Sequence, residues 1–282
     1  MAMKTVGVVG CGLMGAGIAQ VSAQAGLVTW VCEVDQGALD KGLGRIKKFL
    51  EDGVAKGKVT AEDKDKILGN IKGTTKLDQL ASCELVVEAA VENLEVKRQV
   101  FAALDAAVAP DAVLSSNTSS LSITEIAAKT KRPDRVLGLH FFNPVPLMKL
   151  VEIIRALTTS DGAFKKAQEY VTQIGKTPVL CQDTPGFVVN RLLVPYLLDA
   201  VRVYESGIAS KEDIDNGMKL GCGYPMGPLT LLDFVGLDTT YYIANIMFEE
   251  FREPRFAPPP LLKRMVLAGY HGRKTKRGFY TY

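Results

Sequence analysis

The segment Thr5–Gly15, TVGVVGCGLMG, decides the fold. Its first half is a short β-branched apolar run, and its second half, Gly10-Cys11-Gly12-Leu13-Met14-Gly15, reads G-x-G-x-x-G. The residues from Met14 to Ala25 then follow a helical pattern, so the glycines stand between a strand and a helix. In that context each glycine has a task. The first makes the tight turn, the second lets backbone approach a pyrophosphate, and the third lets helix and strand pack closely. The helix N-terminus adds unpaired N–H groups and partial positive charge. Gly10, Cys11, Gly12, Leu13, Met14 and Gly15 are therefore expected to bind a dinucleotide.

An acid should follow about 20 residues later, at the end of the second strand. Glu33 stands 23 positions after Gly10 and can accept hydrogen bonds from both ribose hydroxyls. The same carboxylate repels a 2′-phosphate, and Val34, Asp35 and Gln36 offer no Arg to receive one, so NAD is favoured over NADP. Asp35 is the alternative ribose partner if the strand runs further.

Outward from this opening, continuously apolar runs at Val28–Glu33, Glu84–Ala89, Ala112–Ser116 and Arg135–His140 read as strands covered on both faces. Helical stretches at Asp35–Lys56 and Asn93–Val108 lie among them. The alternation predicts an α/β Rossmann-type domain with a mostly parallel sheet. Met148–Ile154 and Thr177–Cys181 add two strands, joined by a helix from near Ser160. After Asp183-Thr184-Pro185-Gly186 the texture becomes helical, with segments at Phe187–Gly207, Lys211–Leu220, Leu237–Phe251 and Pro260–Gly269. The expected division is an NAD-binding domain over 1–184 and an all-α substrate and dimerisation domain over 185–282.

Composition narrows the function. Charged residues make up 23% of the 282, and 34 Lys+Arg against 31 Asp+Glu leave a net charge of +3, too even for a nucleic-acid binder. Five scattered cysteines without a C-x-x-C pair point to a reducing, cytoplasmic setting. The apolar stretch Val6–Ala19 imitates a signal peptide, but its glycines fit the strand–loop–helix reading, and no run is long enough to span a bilayer. No metal-ligand spacing stands out.

A nicotinamide enzyme acting on an alcohol needs a group to take the hydroxyl proton. Of the two histidines, His140 ends a strand, where ligands gather in open α/β sheets, while His271 sits in a basic C-terminal turn. Glu152 lies inside the apolar Leu150-Val151-Glu152-Ile153-Ile154, a costly place for an unpaired charge. The short Phe141–Leu147 connection could set it beside His140, where it would fix the imidazole tautomer and stabilise the imidazolium. The other reading is a structural His and a separately satisfied Glu. Ser119, after the Ala112–Ser116 strand, is a hydroxyl donor at the same sheet edge or part of a Ser/Thr turn. Asn190, one polar residue in an apolar helix start, is a substrate contact or a packing amide.

Together these segments resemble the L-3-hydroxyacyl-CoA dehydrogenase family, nearest its short-chain bacterial branch, the 3-hydroxybutyryl-CoA dehydrogenases. The likeness rests on GCGLMG at 10–15, VEAAVEN at 87–93, SNTSSLSITEIA at 116–127 and GLHFFNPVPLMKLVEII at 138–154. TPGFVVNRLL at 184–193, GYPMGPLTLLDFVGLD at 223–238 and GRKTKRGFYTY at 272–282 extend it across nearly the whole chain. The resemblance implies reversible oxidation of a 3-hydroxyacyl-CoA to the 3-ketoacyl-CoA, with NAD as hydride acceptor. In that scheme His140 is the general base, Glu152 its partner, and Ser119 and Asn190 bond the C3 oxygen. The family pattern also places Glu92, Lys97, Asn117, Ser119, Asn143 and Lys274 near the cofactor and Lys56 on coenzyme A, and it implies a homodimer.

The chain departs from the pattern at Glu33, where Asp is usual, at Cys11, where Ala is common, and at Asp52, where relatives can carry Lys. The basic stretch Lys41–Lys58 suits a multiply anionic coenzyme A handle, or equally a solvated helix face. Two other readings are a gulonate-type sugar-acid dehydrogenase, which would not need Lys56, and an NAD-binding protein without turnover.

Overall fold

The computed structural model describes residues 2–282 and divides into two compact units, Met1–Asp183 and Thr184–Tyr282. The first unit opens with β1 (Thr5–Val9), α1 (Leu13–Gln24), β2 (Val28–Cys32), α2 (Gln36–Ala55), α3 (Ala61–Gly69) and β3 (Ile71–Thr74). It continues through β4 (Leu85–Glu88), α4 (Leu94–Ala107), β5 (Val113–Ser116), α5 (Ile123–Ala127) and β6 (Val136–Phe141). It ends with β7 (Leu150–Arg155), α6 (Asp161–Gln173) and β8 (Thr177–Gln182).

The eight strands form one sheet in the order β3-β2-β1-β4-β5-β6-β7-β8. All neighbours pair in parallel except β6 with β7, which pair antiparallel. The chain leaves β1 on one side for β2 and β3 and returns on the other for β4, so the topological switch point lies between β1 and β4. Continuous apolar strands are what a sheet covered on both faces requires. Val6, Val8, Leu85, Val87, Leu137 and Leu139 are fully buried against Ile18 of α1, Leu39 and Ile46 of α2, and Ala163, Ala167 and Tyr170 of α6. Each such Val or Leu contributes about 1.5–3 kcal/mol relative to exposure. The buried Tyr170 hydroxyl is satisfied by Ser22 Oγ of α1 at 2.7 Å.

Side chains cap the helices. Asp35 accepts from Ala38 N at 2.8 Å to start α2, and Asn93 from Val96 N at 3.1 Å to start α4. At α5 Ser122 caps locally, accepting from Glu125 N at 3.2 Å, and further acceptors come from far along the chain. The Asp183 carboxylate accepts from Ile123 N at 3.0 Å, Thr124 N at 2.7 Å and Ser122 Oγ at 3.0 Å, tying the end of the first unit to the segment after Ser119.

The second unit is helical: α7 (Val189–Glu205), α8 (Lys211–Asn216), α9 (Pro228–Val235), α10 (Leu237–Phe251) and α11 (Pro260–Leu267). Leu197 and Leu198 of α7, Leu229 and Leu232 of α9, Met247 of α10 and Leu262 of α11 meet in its core. Two acids hold the C-terminal segment onto this bundle. Asp233 accepts from Phe279 N and Tyr280 N, both at 2.8 Å, and Asp215 accepts from Tyr280 Oη at 3.0 Å and Leu229 N at 2.7 Å. Among the described residues, no helix is long and apolar enough to cross a membrane.

The strands differ from expectation mostly by a residue or two at their ends. Arg135 belongs to a single turn, Pro133–Arg135, and the strand it was expected to open runs on to Phe141. β3, α3, α5 and α9 were not anticipated. The helix expected to reach Leu220 ends at Asn216 and passes into a π-type turn, Gly217–Gly221.

Candidate active site

The glycine loop behaves as its spacing demands. Gly10 has a positive φ of +91°, and a Cβ there would lie 2.8 Å from the Ala89 carbonyl oxygen. A Cβ on Gly15 would lie 1.8 Å from Gly10 O, so strand and helix can meet only if that residue is glycine. At Gly12 a Cβ would meet nothing within 4 Å, which leaves the loop's outer face open for a phosphate to reach the backbone. Leu13 is exposed and Met14 half-buried in the first turn of α1.

Glu33 follows β2 and accepts from Cys11 N at 2.5 Å and from Val34 N at 3.1 Å. The carboxylate thus lies against the glycine loop, while Asp35 is engaged in capping α2. A cavity of about 570 Å³ opens beside it, lined by Gly10, Gly12, Glu33, Val34, Leu77 and Val96 among others. An apolar recess of that size with one carboxylate and a glycine backbone at its mouth fits the adenosine half of a dinucleotide. The nearby thiols are inert: burial, and then Glu33, pushes Cys11 up to about 12, and the same two causes push Cys32 up to about 11.

At the far side of the switch point, the C-terminal ends of β4, β5 and β6 carry the polar residues. His140 in β6 stands directly opposite Glu152 in β7, and cross-strand partners share a face. Their side chains meet: His140 Nδ1 lies 2.6 Å from Glu152 Oε2. An ionised carboxylate only accepts, so Nδ1 is the donor of that bond, and in the neutral imidazole Nε2 is then the acceptor. Ser119 Oγ lies 3.1 Å from that Nε2. Glu152 is fully buried and His140 nearly so. The ring of Phe142 sits 4.5 Å from the imidazole, centroid to centroid.

Asn117 joins this edge by accepting from Phe141 N at 2.9 Å. Glu92 accepts from Ser119 N at 3.0 Å and Thr118 Oγ1 at 2.5 Å. Lys97 is buried, 2.8 Å from Glu88 and 3.4 Å from Glu92. Asn143 is exposed in the loop from β6 to β7. Lys176 holds that loop through the carbonyls of Val145 at 2.7 Å and Met148 at 2.6 Å, and its burial lowers the ammonium pKa.

Three of the sequence-derived residues lie away from this cluster in the chain. Lys56 is exposed and closes α2 as its C-cap. Just before it, Lys48 pairs with Asp52 at 3.7 Å and Lys47 with Glu51 at 4.0 Å. In the second unit, Asn190 is half-buried in the first turn of α7. Lys274, also in that unit, donates to Asp238 at 2.5 Å. Burial, the largest single influence, opposes ionisation of Asp238, but hydrogen bonds from Lys274 and the Thr239 backbone, together with the charges of Lys274 and His271, hold the carboxyl below its usual range. His271 donates to Val266 O at 3.2 Å, within the same unit.

The sequence reading missed Glu88, Ser116 and Thr118. Glu88 carried the signal that singled out Glu152, a carboxylate in an apolar strand.

Comparisons with known proteins agree with this layout. Residues 5–184 match the family model described as 3-hydroxyacyl-CoA dehydrogenase, NAD binding domain, and residues 186–282 match that family's C-terminal domain. The chain is 54% identical to a 3-hydroxybutyryl-CoA dehydrogenase of Mycobacterium tuberculosis, over 100% of this chain and 99% of that one. It is 49% identical to the mitochondrial hydroxyacyl-coenzyme A dehydrogenase of Sus scrofa, covering 99% and 91% of the two chains. Its structure superposes on the crystal structure of the (S)-3-hydroxybutyryl-CoA dehydrogenase of Ralstonia eutropha with a TM-score of 0.97 at 45% identity, covering 100% and 99%. With both domain models matched in order along a dinucleotide loop and a serine–histidine–glutamate cluster, the chain belongs to the 3-hydroxyacyl-CoA dehydrogenase family.

Proposed function

We propose that this protein is an NAD(H)-dependent dehydrogenase interconverting (S)-3-hydroxyacyl-CoA and 3-ketoacyl-CoA, with 3-hydroxybutyryl-CoA and acetoacetyl-CoA as its preferred pair. The observation that carries the reading is the chain of contacts Ser119–His140–Glu152 at the C-terminal edge of a sheet whose first turn is a dinucleotide loop. The names of its full-length relatives support the substrate class.

NAD, which the glycine loop Gly10–Gly15 and Glu33 would hold, would supply the two-electron acceptor for the hydride of substrate C3. His140 Nε2 takes the C3 hydroxyl proton, and the imidazolium that forms keeps its Nδ1–H on Glu152. Ser119 turns its hydroxyl toward the C3 oxygen as charge develops there, an electrostatic contribution that is often the largest in catalysis. His140 then gives the proton to solvent, so that each turnover releases ketoacyl-CoA, NADH and one proton. In reduction the same imidazolium returns its proton to the oxygen.

We assign Asn190 a second hydrogen bond to the C3 oxygen, and Glu92, Lys97, Asn117, Asn143 and Lys274 places around the nicotinamide half, on the family's pattern. The unit 185–282 is assigned to substrate binding and homodimerisation, and the cytoplasm is the proposed compartment, in keeping with five unpaired cysteines.

NAD is preferred over NADP because Glu33 sets a carboxylate where a 2′-phosphate would stand. Glu33→Ala is expected to weaken NAD about tenfold while NADH-driven turnover at saturation stays within threefold, as read by cofactor titration and steady-state kinetics. Unchanged affinity would hand the ribose contact to another group, although Asp35 is occupied as a cap. Lys56→Ala is expected to raise KM for acetoacetyl-CoA about 5-fold or more and KM for NADH less than twofold. Equal changes would remove Lys56 from the coenzyme A site.

The reading is tested by following NADH oxidation with acetoacetyl-CoA and with longer ketoacyl-CoAs, then repeating with NADPH. Rapid turnover with acetoacetyl-CoA and NADH supports it. Turnover of a free sugar acid, without ketoacyl-CoA activity, would replace it with a gulonate-type dehydrogenase.

A further inference from the structure

The cluster behind Ser119 holds one ammonium and two carboxylates. Glu88 ends β4 fully buried, accepting from Lys97 Nζ at 2.8 and 3.1 Å, from Ser116 Oγ at 2.7 Å and from Ala90 N at 2.7 Å. Lys97 is 1% exposed, and its ammonium also lies 3.4 Å from Glu92. Glu92 keeps a third of its side chain in solvent and reaches the site through Ser119 N and Thr118 Oγ1.

Charge in this group is unevenly shared. A buried ammonium needs a close counter-ion, and the shorter, two-oxygen contact makes that partner Glu88. The remaining negative charge is left on Glu92, one hydrogen bond from the residue that faces His140 Nε2. If His140 receives the hydroxyl proton, the substrate carbon beside it must face the nicotinamide, so the ring stands close to Glu92. That ring is cationic when oxidised and neutral when reduced, and a nearby uncompensated carboxylate favours the cation.

We propose that Glu88 is a positioning residue: by occupying Lys97 it keeps Glu92 a net anion and so biases the site toward the oxidised cofactor. This rests on the function proposed above. Glu88 need not touch cofactor or substrate; it acts through Lys97 and Glu92. Without its charge, Lys97 pairs with Glu92, the cluster becomes neutral and the bias is lost.

The test is the ratio of dissociation constants for NAD⁺ and NADH, measured by titrating the full chain without substrate. Glu88→Gln keeps the shape and an acceptor for Ser116, and it is expected to shift the ratio about 5-fold or more toward NADH. A merely structural defect weakens both forms alike, so a ratio within twofold of the parent, whatever the absolute affinities, overturns the proposal. Glu92→Gln, at a more exposed position, removes the left-over charge directly and is expected to shift the ratio the same way. It decides the matter should the Glu88 variant fail to fold, and an unchanged ratio there overturns the proposal equally. A parent protein that binds neither nucleotide would instead refute the dehydrogenase reading and take this inference with it.

Discussion

His140→Gln is expected to lower turnover by about 100-fold or more in both directions while leaving NAD affinity within threefold. A positioned acid–base group is worth about 10²–10⁴ in rate, and the imidazole touches both Ser119 and Glu152. Glutamine can still hydrogen-bond a C3 oxygen but cannot carry a proton away from it. The dinucleotide loop and Glu33 lie on the other side of the switch point and should not respond. Stability should fall by a few degrees in Tm, because fully buried Glu152 loses the Nδ1–H donor. Steady-state kinetics beside a cofactor titration separates the two effects. Near-normal turnover in a folded variant would remove His140 from the mechanism.

The parts of the fold readable from sequence were those in which one physical demand dominates. Five strands announced themselves because burial on both faces forces a nearly unbroken apolar run, as in Leu85–Glu88 and Val136–Phe141. β3 escaped because it is an edge strand, Ile71–Thr74, paired on one side only and carrying Lys72 and Gly73. α3 escaped for the opposite reason to the strands: of its nine residues only Ile67 is buried, so there is almost no apolar stripe to find. α9 is so largely apolar that period gives no guide. Its start is fixed by Pro228 at the first helical position and by the Asp215 carboxylate of the preceding helix, α8.

The site follows the same division. The glycine loop was legible because local sterics alone specify it, down to the Cβ that Gly15 cannot accept. The meeting of His140 and Glu152 was open from sequence, since it depends on β7 running antiparallel to β6 in a register that sets the two residues opposite each other. Sequence shows a charge inside an apolar strand but not its counter-charge, which comes from another element. For Glu88 that partner is Lys97 on α4, nine residues on, in a helix whose other buried residues, Phe101 and Leu104, are apolar.

Glu152→Gln is expected to lower turnover by about 100-fold with little change in KM for either substrate. The carboxylate has two tasks that a neutral amide cannot both perform. Accepting from Nδ1–H, it keeps the proton on Nδ1 and leaves Nε2 free to take one from the substrate. Carrying full charge in a buried setting, it stabilises the imidazolium that forms in mid-reaction. The amide can turn either way. With its oxygen toward Nδ1 it keeps the tautomer but loses the charge, and with its NH₂ toward Nδ1 it stabilises the tautomer whose Nε2 is already protonated. In the analogous serine-protease arrangement the same acid-to-amide change costs about 10⁴ in rate. The decisive measurement is the double variant. If Glu152 acts through the imidazole, His140→Gln/Glu152→Gln should be no more than about threefold slower than His140→Gln alone, because residues working as a unit are strongly non-additive. If the two losses multiply instead, Glu152 serves the reaction by a route that does not pass through His140, and the relay assigned to this sheet edge is wrong.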